Sequence, residues 1–303
     1  MNLADKLANV DMTEDNRISA EDRKYCEAHQ KAYELAIDNL KNLVFFWECT
    51  EAEQDAILGD YDAYTRKYSS YISIEDFSIR KVEDNIMHTH EKFVRYLVNY
   101  FDRTYHIELD VDKIIKFLIP QKPEYDYSDR INYEKRVEEW EKEMEGVSLK
   151  FEDVLDQILI QLDGRTFVER AIDEIIANCR QHAWISGDPY FEVKGDTIRF
   201  QDYFCSHEYW ISRDRWTFTS RMKSIIPAIY HYETNCIGNY PHLFNRLFND
   251  FSYPELDFDN DNKLMSIKCF KKGRVDVKFK SKTYATEFAD KYLGWVANGG
   301  ISS

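Results

Sequence analysis

The sequence predicts an α+β fold: an N-terminal helical region, then a mixed domain with short antiparallel hairpins and packed helices. Three observations carry this. Apolar residues recur at helical spacing through the first 119 positions. After Trp184 the period shortens to two, in runs such as "YFEVKGDTIRF" at 190–200. Breakers are scarce, with 10 glycines and 6 prolines in 303 residues, which favours long elements over structureless loops.

The first helix is expected to begin at Ser19-x-x-Asp22, a capping pair, with Tyr25, Ala28, Ala32, Leu35, Ala36, Leu40 and Leu43 on its apolar face. Thr50-x-x-Glu53 reads as a second capping box, opening a helix with Ile57, Tyr61 and Tyr64. Ser73-x-x-Asp76 opens a third, carrying Phe77, Ile86, Phe93, Tyr96, Leu97, Tyr100 and Phe101. Buried together as an antiparallel bundle, these stripes define a helical domain over 1–119.

Residues 120–147 change character. Prolines give way to a charged run, "RINYEKRVEEWEKEMEG", whose Glu and Lys fall at i,i+4 distances and suit a solvated helix. This segment is expected to be a linker or exposed insertion, with the α+β domain over 148–303. There Phe151–Leu162 and a helix capped by Thr166-x-x-Glu169 come first. A hairpin turns at Lys194-Gly195-Asp196. Helices with Pro227 inside and Pro241 at the start follow. Alternating strands around Ile267 and Val277, then a helix with Tyr284, Phe288, Ala289 and Tyr292, close the chain.

Net charge is −15, with −12 in residues 1–150 and −3 in 151–303. A surface of that sign argues against nucleic acid as partner. Lys263–Lys291 runs against the trend, with nine basic and three acidic residues, and could touch phosphate or an acidic partner. No run approaches the length of a membrane span, and the polar N-terminus "MNLADKLANVDMTEDN" is not expected to act as a secretory signal. Six scattered cysteines without a CxxC suit reduced thiols in a cytoplasm.

Chemistry-bearing patterns are few. Cys205 and His207, two apart on a strand, would share a face, as a thiolate–imidazole pair requires, but a third orienting group is missing. Cys179/His182, Cys205/His207 and His231/Cys236 offer thiol and imidazole ligands at spacings that fit no zinc-finger pattern. "DFDNDNK" at 257–263 lacks the glycine and the final glutamate of a calcium loop. Glu192-x-Lys194, with Asp188 and Asp173 upstream, has the residue types of a Mg²⁺-dependent nuclease. The sequence has no phosphate loop, dinucleotide fingerprint, GxSxG or HExxH. No cofactor, metal or catalytic residue is assigned, and a non-enzyme is favoured.

The densest signal is aromatic. Residues 184–218 hold ten Trp, Tyr and Phe, and their mixture with arginine is the composition of protein interfaces. Tyr190, Phe191, Tyr209, Trp210, Arg213, Arg215 and Trp216 are the expected partner-binding residues, the other aromatics being core. Exposed aromatic surface also predicts a homo-oligomer.

The block "KCFKKGRVDVKFKSKTYATEFADKYLG" at 268–294 resembles the end of an uncharacterised domain family of phage, prophage and plasmid proteins, and "QLDGRTF" at 161–167 is similar to an upstream part of it. That resemblance implies a mobile-element origin and transfers no functional residues. In size and acidity the chain is also similar to phage anti-defence inhibitors such as the one that blocks the Gabija nuclease. The expectation is a protein that binds and inhibits a host complex, an anti-phage defence system, in the host cytoplasm. The alternative is a metal-dependent nuclease or DNA-binding accessory protein.

Overall fold

The computed structural model describes residues 18–58, 79–125, 130–210, 213–258 and 262–295. The fold is α+β, and the chain divides into two compact units: Met1–Phe101 with Leu109–Gly164, and Asp102–Glu108 with Arg165–Ser303. The charged segment 120–147 lies within the first.

In the first unit, α1 (Ala20–Leu58) opens on the expected cap. The Asp22 N–H donates to Ser19 Oγ at 3.1 Å, and the Ser19 N–H donates to the Asp22 carboxylate at 3.0 Å. The helix does not restart at Thr50. Its hydroxyl bonds back to the Phe46 carbonyl at 2.7 Å, which lets the helix run through a residue that resembles a cap. The buried side of α1 is Asp22, Cys26, Tyr33, Ile37 and Trp47. Ala28, Ala32, Leu35 and Leu43, expected inside, are exposed. Asp22 tolerates burial because Ser19 and the Tyr100 hydroxyl, at 2.8 Å, satisfy its carboxylate. The proposed continuation through Tyr61 and Tyr64, and the cap at Ser73–Asp76 with Phe77, lie outside the described residues.

Helix α2 (Ile79–Tyr105) buries Val82, Phe93, Val94, Leu97, Val98 and Phe101. Tyr25 stacks on Tyr100 at 3.8 Å and Tyr33 on Phe93 at 4.4 Å, joining α1 to α2. Short α3 (Val111–Leu118) packs on α5 (Phe151–Leu162), where the Gln161 amide pairs with both backbone groups of Asp110. Between them α4 (Arg130–Glu145) is the solvated helix its charges predict.

In the second unit, α6 (Phe167–Ala183) starts on the expected Thr166/Glu169 capping box. Two-residue strands β1 (Trp184–Ile185) and β2 (Asp188–Pro189) pair. A five-stranded antiparallel sheet follows, built from β3 (Phe191–Lys194), β4 (Thr197–Phe200), β7 (Glu255–Asp257), β8 (Leu264–Cys269) and β9 (Val275–Phe279), in the order β3-β4-β9-β8-β7. Its remaining elements are β5 (Cys205–Trp210), β6 (Arg213–Phe218), α7 (Ser220–Thr234), α8 (His242–Asn245) with a 3₁₀ turn, and α9 (Lys282–Leu293).

Alternation gives the sheet two unlike faces. Phe191, Phe200, Val275 and Cys269 form one inward row, and Val193, Ile198, Val277, Ile267 and Leu256 the next. Against them pack Phe288 and Tyr292 of α9, beside Cys179 of α6. The outward row is Glu192, Arg199, Asp276, Lys268 and Glu255, one residue from each strand and alternating in sign. Arg199 and Arg274 approach Asp276 at 3.4 and 3.2 Å, and Lys268 meets Glu255 at 2.7 Å.

Candidate interaction surface

Strands β5 and β6 form a separate two-stranded ribbon, in the register Cys205↔Phe218 through Trp210↔Arg213. One face carries Cys205 with Phe218, His207 with Trp216, and Tyr209 with Asp214; the other carries Ser206 with Thr217 and Glu208 with Arg215. The first face grades outward. Cys205, Phe218 and Trp216 are core residues, whereas Tyr209 is 74% exposed.

The ribbon base is firmly held. The N–H groups of Phe204 and Cys205 donate to the Gly273 carbonyl at 2.9 and 3.0 Å. Trp216 and Phe251 exchange backbone bonds at 2.8 and 2.9 Å. Farther out, His207 Nε2 meets the Asp214 carboxylate at 2.6 Å with its ring against Trp216. Arg215 Nε donates to Asp250 at 2.8 Å. That contact holds the Asp250 carboxyl below its ordinary value, after the larger effect of the Thr217 hydroxyl. A backbone pinned at its base thus presents a large amphipathic ring with charges fixed nearby.

Two of the expected partner-binding residues move into the core. Phe191 lies on the inward row of β3, packed edge-on against Trp184, and Trp216 is covered because Phe251 bridges its strand. Neither is available to a partner. Tyr190 is half-buried between β2 and β3, and Arg215 is exposed but already paired. The side chains of Trp210 and Arg213 lie outside the described residues. Tyr209 remains as the exposed ring.

The other chemical patterns resolve into packing. Cys205 and His207 do share a face, but the thiol points to the Phe270 and Arg274 carbonyls at 3.5 and 3.3 Å, and the imidazole to Asp214. Cys269 hydrogen-bonds the Cys205 sulfur, holding Cys205 below the ordinary thiol value and itself above it. Cys179 is buried, so its thiol is pushed up by loss of solvent. His182 turns to the Asn178 carbonyl, His231 to the Tyr292 hydroxyl, and Cys236 is exposed. Among the described residues no group of three or more His, Cys, Asp or Glu is placed to hold a metal. Glu192 and Lys194 pair with each other at 2.6 Å on the outward sheet face, and Asp173 pairs with Arg165.

Part of the basic C-terminal segment is paired locally. Lys268 pairs with Glu255, Lys278 with Asp196 and Arg274 with Asp276, while Lys263 Nζ donates to the Tyr232 carbonyl. Lys271, Lys272 and Lys282 of the same segment are exposed. No helix among the described residues is long and apolar enough to cross a membrane.

Periodicity does not foresee a cavity of about 360 Å³ in the second unit, where Asp102, Glu108 and Glu174 share a wall with Ile107, Pro227 and Tyr240. Burial and the two glutamates raise the Asp102 carboxyl. Glu174 is structural, accepting from the Glu108 N–H at 2.8 Å and Arg170 Nε at 2.5 Å. The three acids come from the end of one helix, the turn after it and the middle of another, a spacing that carries no sequence pattern.

No family model matches the chain, and no curated protein or solved structure matches it.

Proposed function

We propose that this is a non-catalytic binding protein that engages a host protein complex, with the β5–β6 ribbon as contact element. The observation that carries the reading is Tyr209: a 74% exposed ring on a ribbon whose base is locked into the core. An exposed tyrosine on a strand held at its base, with paired charges beside it, has the makeup of a binding hot spot, since a ring with two side-chain torsions loses little freedom on docking. The likeness of residues 268–294 to mobile-element proteins supports a host defence complex such as Gabija as the partner class, met in the host cytoplasm. The nuclease alternative is less well supported, because Glu192 belongs to a cross-strand charge row and Lys194 is paired with it.

The test is expression beside a panel of bacterial defence systems under phage challenge. Wild type should restore phage growth in one strain, and Tyr209→Ala, at an exposed side chain, should lose that rescue while melting normally. Rescue unchanged by Tyr209→Ala would dissociate the ribbon from function. An absence of rescue in every strain, with Mg²⁺-dependent DNA cleavage that Glu192→Ala abolishes, would favour the nuclease.

A further inference from the structure

Helix α1 carries two apolar faces, and among the described residues its own unit covers one. Successive helical residues turn by about 100°, so positions 11 apart nearly eclipse, displaced by only about 20°. Leu35, Phe46 and Ile57 stand at that spacing. They lie about 140° round the helix from the buried set. They are 64%, 63% and 78% exposed, with Leu43 beside them. The stripe runs straight for about 33 Å.

The charges on this face are arranged as well. Past Glu21 at the helix start, Lys24 and Lys31 lie on its first half and Glu53 on its second, all exposed and without an ion pair among the described residues. Laid antiparallel on a second α1, with the two-fold axis level with Leu40 and Lys41, the face complements itself. Leu35 of each copy meets Phe46 of the other, and Asn39 meets Asn42. Glu53 comes level with Ala28, between Lys24 one turn before and Lys31 one turn after. A parallel pairing would instead set Lys24 on Lys24 and Glu53 on Glu53, which like-charge repulsion opposes.

We propose that the outward face of α1 is a homodimer interface, antiparallel about this axis, and that its occupant is a second copy of the chain. The proposal is independent of the ribbon's role, which belongs to the other unit.

Sedimentation of the full chain over the micromolar range should show a concentration-dependent dimer. Phe46→Glu should weaken it while helicity is retained, because that side chain is exposed. Lys31→Glu and Glu53→Lys should each weaken dimerisation by about tenfold, and the two together should restore it. Spin labels settle direction on a background with Cys49 and Cys236 changed to serine. A label at Asn39 should find its mate within about 10 Å, and one at Ala28 at about 40 Å. A monomer at every concentration, a dimer indifferent to Phe46→Glu, failure of the charge swap to rescue, or short distances at both labels would overturn the proposal.

Discussion

His90 should make the first unit sensitive to mild acid. Its ring is buried on α2, with Nδ1 at 2.8 Å from the Tyr33 hydroxyl. That hydroxyl accepts the Leu149 N–H at 3.3 Å, so its own proton points to Nδ1 and the neutral ring carries its hydrogen on Nε2, which has no partner. Burial, helped by Lys41, lowers the imidazole from 6.5 to about 4. Above pH 6.5 the ring is neutral in both folded and unfolded chains and costs nothing. Between 6.5 and about 4 the unfolded chain takes up a proton that the folded chain refuses, so stability falls with pH. A gap of this size corresponds to about 3 kcal/mol, complete near pH 4. Urea unfolding, followed by a probe in the first unit from pH 7 to 4, measures it against His90→Asn, which keeps an acceptor for Tyr33 but does not titrate. Wild type should lose about 3 kcal/mol more than the variant over that range. Parallel pH profiles would refute the reasoning, since carboxylate titration is common to both.

Other expectations concern the second unit. Gly273 has φ +90°, and an added Cβ would stand 2.8 Å from the Tyr203 nitrogen, so Gly273→Ala should cost about 2 kcal/mol or more in urea melts. Asp276→Asn should destabilise by about 2 kcal/mol, because Arg199 and Arg274 would lose the one carboxylate between them. Tyr292→Phe removes the hydroxyl that His231 meets at 2.7 Å and should lower thermal stability by about 1 kcal/mol.

Local chemistry was readable where a few adjacent residues decide the outcome. The Thr166/Glu169 box, the Lys194–Asp196 turn and the solvated helix at 130–145 depend on neighbours within four positions, and the structure has them as expected. Thr50 shows the limit, since a capping box and a back-bonded mid-helix threonine look alike until the following turn is known. Spacing places the apolar stripe of α1 partly on the exposed side because both sides carry apolar residues, and the buried one starts at a charged Asp22. Phe191 and Trp216 could not be told from Tyr209 by composition. What separates them is the pairing of β4 with β9, some 75 residues on, and the bridge to Phe251. Such long-range choices leave no local period.

The alternating row on the outward sheet face also guards against misfolding. A slip of one residue along β9 would turn its valines and Phe279 into solvent, and the core forbids it. A slip of two keeps every apolar side chain inside, so burial alone cannot reject it. Here the charges decide. Moved two places one way, Arg199 would face Lys278; moved two places the other way, it would face Arg274. On the opposite side of β9, Lys268 meets the same two cations under the same slips. Asp276, the single acid between Arg274 and Lys278, thus acts as a key that fits both neighbouring strands in one alignment only.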